Sequence, residues 1–117
     1  MLTSSNYNDD VKKVTGGRNG FGAKLTNIFS SKFVVETANS KNELYYKQVF
    51  KKNMSEKGDP EISKNKNGDD YTCITFYPDL KKFNMSQLDD DIVSLMTKRV
   101  YDLAGVTPAN VKVKLNG

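Results

Sequence analysis

Two seven-residue runs rich in β-branched and aromatic side chains, KFVVETA (32–38) and LYYKQVF (44–50), lie five residues apart. Such residues suit a pleated, half-buried surface. The intervening NSKNE (39–43) carries turn-forming Asn and Ser. A connection that short returns the chain alongside itself, so the two runs predict an antiparallel pair. A third strand is predicted at YTCITFYP (71–78), where Thr72, Ile74 and Phe76 alternate with Tyr71, Cys73, Thr75 and Tyr77 until Pro78 closes the run. Placed inside that alternation, Cys73 is expected to be an inert core thiol. The polar stretch 51–70 between the second and third runs contains Gly-Asp-Pro and Asn-Gly-Asp-Asp punctuation. It predicts an exposed excursion with one short strand at Glu61, Ile62 and Ser63.

Helices are predicted on both sides of these strands. Leu25, Ile28 and Phe29 are spaced i, i+3, i+4, which marks a short amphipathic helix from Gly22 to about Ser30. A longer one is predicted over 87–104, with the stripe Leu88, Ile92, Leu95, Met96, Val100 and Leu103. Ser86 with Asp89 resembles a capping box, Asp89, Asp90 and Asp91 favour the positive helix end, and Gly105 with Pro108 supplies a stop. The last residues, VKVKLNG (111–117), read as a strand. The expected fold is therefore α+β, with helices packed on one face of a mostly antiparallel sheet, a two-layer sandwich. A thin core and abrupt ends make residues 1–117 read as a single domain truncated at both ends.

The totals narrow the chemistry. The chain has 117 residues, a formal net charge of +4, one cysteine and no histidine. That leaves too few ligands for a structural zinc site and no base for a Ser-His-Asp or Cys-His nucleophile. One cysteine makes no internal disulfide, and no run approaches the ~20 apolar residues of a membrane span, so an intracellular protein without a membrane partner is expected.

The most chemically suggestive stretch is KKVTGGRNGFGAK (12–24), which places Gly16, Gly17, Gly20 and Gly22 just ahead of the first helix. It fails the Walker A pattern, because Ala23 intervenes before Lys24 and Leu25 follows in place of a hydroxyl. It also fails the dinucleotide fingerprint, since Leu25 occupies the third glycine position and no apolar strand precedes it. What survives is a glycine-rich entry into a helix whose free amides point at whatever lies there. Glycine admits close approach, and Arg18 and Lys24 add positive charge. The candidate ligand is phosphate, against a plain surface loop whose glycines shape turns.

The wording of this stretch carries more than its glycine count. The run LTSSNYNDDVKKVTGGRNGFGAKLTNIFSSKFVVETA, followed by DDYTCITFYPDLKKFNMSQLDDDIVSLMTKRVYDLAG and the final VKVKLNG, strongly resembles the ATPase region of eukaryotic-type DNA topoisomerase II. Only residues 40–70 match loosely. That family shares its ATPase fold, of Bergerat type, with gyrase, a heat-shock chaperone, mismatch-repair proteins and histidine kinases. The resemblance implies that Gly17, Arg18, Asn19, Gly20, Phe21, Gly22, Ala23 and Lys24 wrap the triphosphate of ATP, and that Ser4, Ser5 and Asn6 also contact the nucleotide. Phe21 stands where many members have tyrosine, so a hydroxyl contact is lost while backbone contacts are kept.

The resemblance further implies what lies elsewhere. The water-activating glutamate and the Mg²⁺-holding asparagine would precede this chain, and the lysine reaching the γ-phosphate and the DNA-cleaving tyrosine would follow it. No catalytic or metal-binding residue is then expected within 1–117, and the piece alone should not hydrolyse ATP. The whole enzyme would be a homodimer acting on DNA, in the nucleus or in an organelle that keeps its own DNA. Two alternatives stay open: another ATPase of the same superfamily, and a non-enzymatic basic α+β module that binds phosphate or a protein. Paired carboxylates at Asp9-Asp10 and Asp69-Asp70 read as solvated turns. Lys47, Lys51, Lys52, Lys57, Lys64 and Lys66 read as a soluble face.

Overall fold

The structure, a computed structural model, describes residues 20–117. The chain divides into two compact units, one ending at Asp79 and the other running Leu80–Gly117. The first unit begins with helix α1 (Phe21–Ile28), followed by strands β1 (Ser30–Asn39), β2 (Leu44–Lys51), β3 (Glu56–Lys57), β4 (Glu61–Lys64) and β5 (Tyr71–Pro78). All pairings are antiparallel, in the order β3-β2-β1-β5, with β4 also on β2. Helix α1 packs against β1 and, more sparsely, β5. The α+β class with an antiparallel sheet is the one the sequence pattern predicts.

The predicted hairpin forms in full register, Phe33 opposite Phe50 and Val34 opposite Val49. The turn between them is tied by Asn39, whose side chain accepts from the Asn42 amide at 3.1 Å. Burial centres on β1, where Phe33, Val34 and Ala38 join Phe50 of β2 as the buried apolar residues. Phe33 is only 1% exposed and meets Phe50 edge to face, with ring centroids 6.4 Å apart. Enclosing such a ring contributes about 1.5–3 kcal/mol, and the aromatic pairing adds roughly 0.5–1.5 kcal/mol. On the face away from Phe33, Glu36 lies between buried Val34 and Ala38, pairs with Lys47 at 3.6 Å and accepts from the Tyr45 hydroxyl at 3.1 Å.

The exposure of β5, whose residues 71–77 are exposed on both faces, corrects the reading of Cys73. Its backbone lies opposite Glu36, and its thiol is exposed rather than buried. The excursion 51–70 is also more ordered than a loop. It supplies the expected strand near residue 61 and an unforeseen two-residue strand, β3, so that both halves of the outer edge of β2 are paired. Between β3 and β4, the Gly58 amide donates to Val49 O at 2.8 Å and Gly58 O accepts from the Gln48 side chain at 2.9 Å. Asp70 is more than a solvated turn residue, because its carboxylate accepts from both the amide and the hydroxyl of Ser40 at 2.6 Å.

Where α1 enters β1, four successive carbonyls each receive a donor. Ile28 O accepts from Asn53 Nδ2 at 2.8 Å and Phe29 O from the Asp79 amide at 2.8 Å. Ser30 O accepts from the Asn53 amide at 3.1 Å and Ser31 O from the Lys52 amide at 2.9 Å. Asn53 sits in the β2–β3 turn, where Lys52, Asn53 and Met54 have φ of 50°, 58° and 68°. Left-handed backbone costs a non-glycine residue roughly 1–2 kcal/mol, so this turn is strained unless its surroundings hold it. A Lys52–Glu56 ion pair at 2.7 Å lies across it and raises the Lys52 pKa, chiefly through the hydrogen bond between the two side chains.

The second unit contains a single-turn 3-10 helix (Leu80–Phe83) and helix α2 (Asp90–Val106). The N-cap of α2 is Asp89, whose carboxylate accepts from the Ile92 amide at 2.8 Å, so the helix starts three residues later than predicted. Asp90 and Asp91 occupy its first turn, as dipole complementarity requires. Gly105 does not end the helix; the chain leaves it at extended Thr107, ahead of Pro108. Residues 111–117 form no strand. An extended segment is a strand only when a neighbour shares its ladder bonds, and among the described residues none pairs with this one.

Candidate functional site

The described part of the candidate site is the N-terminus of α1. Gly20, its N-cap, has φ 71° and ψ 12°, the left-handed conformation that glycine enters without steric cost. This residue therefore turns the glycine-rich approach into the helix axis, a backbone demand met before any ligand is considered. Among the described residues no side chain caps the helix, and its first turn holds no acidic residue. The leading amides of α1 have no partner within the helix and carry the partial positive charge of a helix N-terminus.

The side chains around this end leave it accessible. A Cβ added at Gly22 would find no atom of the described residues within 4 Å. Phe21 is half exposed. Lys24 makes no ion pair with any described residue, leaving its ammonium uncommitted one turn into the helix. Thr26 donates its hydroxyl to Gly22 O at 2.8 Å and Ser30 donates to Thr26 O, which tie the helix to itself. Among the described residues, no group of three His, Cys, Asp or Glu side chains could hold a metal ion. No described helix is long and apolar enough to cross a membrane.

The structure thus brings Gly20, Phe21, Gly22, Ala23 and Lys24 together on one helix end. Ser4, Ser5, Asn6, Gly17, Arg18 and Asn19 lie outside the described residues. Sequence reasoning missed Asn53 and Asp79, which hold the opposite end of the same helix. The available signal was slight: asparagine tolerates left-handed backbone better than its neighbours, and it stands here just after a predicted strand.

An arrangement of free amides and one cation suits an anion with several oxygens. No family model matches the chain. DNA topoisomerase 2 of Arabidopsis thaliana is 60% identical over 117 residues, all of this chain and 8% of that protein. DNA topoisomerase 2-alpha of Homo sapiens is 62% identical over 117 residues, again all of this chain and 8% of the relative. The crystal structure of the ATPase region of Saccharomyces cerevisiae topoisomerase II bound to ICRF-187 (dexrazoxane) superposes with a TM-score of 0.81. It is 54% identical, over 88% of this chain and 27% of that one. The chain belongs with the topoisomerase II ATPase region.

The topoisomerase II match also covers residues 40–70, which the sequence reading aligned only loosely. The β2 excursion therefore lies within the aligned length. The chain spans 8% of the length of each of those two relatives, a small part of a topoisomerase II subunit.

Proposed function

We propose that this chain is the phosphate-holding segment of the ATPase region of a type II DNA topoisomerase. In the whole protein, a homodimer would bind ATP and Mg²⁺ and use the nucleotide to pass one DNA duplex through another, acting on nuclear DNA or that of an organelle. Both compact units would belong to one partial nucleotide-binding domain. The observation that carries this reading is the N-terminus of α1, entered through left-handed Gly20, with no acidic residue in its first turn and, among the described residues, no side-chain cap and no ion-pair partner for Lys24.

The residues here would act by position and charge. Amides at the start of α1 and the Lys24 ammonium would hold phosphate oxygens, while Gly22 leaves room for them beside the main chain. Ser4, Ser5, Asn6, Gly17, Arg18 and Asn19 would complete the contacts. The described residues offer no carboxylate cluster for Mg²⁺, so its ligands would come from outside them, as would the group that activates water. Identity of 60% to a topoisomerase favours this reading over a different ATPase of the superfamily or a non-enzymatic phosphate-binding module.

The test is Lys24→Ala in the full-length protein. ATP-dependent relaxation of supercoiled DNA should be lost while the melting temperature stays unchanged. Relaxation at the wild-type rate would overturn the assignment.

A further inference from the structure

We propose that Asn53 is a positioning residue for the nucleotide site, and that the strained 52–55 turn exists to hold it against the far end of α1. This rests on the nucleotide reading above. Three consecutive left-handed residues other than glycine persist only where their surroundings over-determine them, and such strain gathers where geometry matters. What the turn achieves here is specific. It points the Asn53 amide inward, so that Nδ2 donates to Ile28 O at 2.8 Å and to Asp79 Oδ2 at 3.0 Å.

Ile28 closes α1, and its carbonyl is one that the helix itself leaves without a partner. Together with the donors to Phe29, Ser30 and Ser31, the turn and the end of β5 grip the base of α1 from two strand ends. The helix has eight residues, about 12 Å at ~1.5 Å per residue. Over that length a tilt of about 5° at Ile28 moves the Gly20 end by about 1 Å. A misplacement of that size can cost about a hundredfold in a preorganised site. Asn53 touches no phosphate in this scheme; it acts by setting where the amides of α1 stand.

The experiment measures binding of a non-hydrolysable ATP analogue to the full-length protein, alongside melting temperature. Asn53→Ala should weaken binding by about tenfold or more. Asp79→Ala, which removes only the carboxylate that orients Asn53, should weaken it less. Val34→Ala provides the control, because Val34 is buried in β1 and takes no part in the grip on α1. At an equal loss of melting temperature it should bind the analogue like wild type. Equal binding by the Asn53→Ala and Val34→Ala proteins would overturn the positioning role. Should Asn53→Ala fail to fold, wild-type binding by Asp79→Ala overturns it instead. Lys24→Ala separates the two layers of the argument: wild-type binding there sinks the nucleotide reading and the positioning role together, whereas impaired binding there with normal binding at Asn53→Ala sinks the positioning role alone.

Discussion

Replacing Gly22 with alanine should move stability and nucleotide binding in opposite directions. Gly22 is the second residue of α1, and nothing stands within 4 Å of the place a methyl group would occupy. Its backbone is helical, so alanine adopts it freely while losing less chain entropy on folding. Gly→Ala inside a helix gains about 0.5–1 kcal/mol, and no clash subtracts from that here. Yet each Cα–Cβ bond of a helix tilts toward its N-terminus. The new methyl group would therefore point at the end where phosphate is proposed to sit. Loss of one or two amide contacts to an anion, at ~1.5–3 kcal/mol each, predicts at least a tenfold weaker affinity for ATP. Thermal unfolding and titration calorimetry on the full-length protein would read both quantities. A variant that is more stable and binds ATP as tightly as wild type would refute the argument that glycine is needed there for close approach.

Two further outcomes follow from the sheet. Gly58→Ala should destabilise the protein by about 1–3 kcal/mol in urea unfolding, because its Cβ would lie 3.0 Å from the Val49 carbonyl oxygen, a backbone atom that cannot swing aside. Asp70 gives a pH signature: its pKa is lowered from 3.8, first by the Ser40 hydroxyl and then by the Ser40 amide. A depressed carboxylate stabilises the fold fully above its ordinary value, and that contribution disappears as pH falls through the lower folded value. Ser40→Ala should thus reduce stability at neutral pH and converge on wild type in strong acid, checked by urea midpoints across pH 2–7.

The parts of the fold legible in the sequence were those with a strong period. KFVVETA and LYYKQVF specify a hairpin because a slip of one residue would expose Phe33 and Phe50 together. Burial was harder to read than periodicity. Alternation assigns Cys73 to a face, but cannot say that both faces of β5 are left exposed, as they are at residues 71–77. β3 escaped notice because two residues, Glu56 and Lys57, carry no pattern, and their pairing follows from the strained turn before them. Val111 and Val113 alternate as a strand should, but alternation cannot supply a partner. Of the site, the helix entry at Gly20 was legible because glycine has a steric reason to be there. The grip of Asn53 on Ile28 spans 25 positions of sequence and leaves no local trace.

The two short strands on β2 have a consequence for how the sheet can grow. They divide its outer rim into pieces of two and four residues, parted by Gly58, Asp59 and Pro60, and Pro60 has no amide to offer. A foreign strand finds no uninterrupted ladder on that side, and the lysines and glutamates of both pieces discourage one. Among the described residues, no strand pairs with the outer rim of β5, eight residues long and continuous. Among the described residues, extension of the sheet is thereby made one-directional: interrupted beyond β2, and uninterrupted only beyond β5.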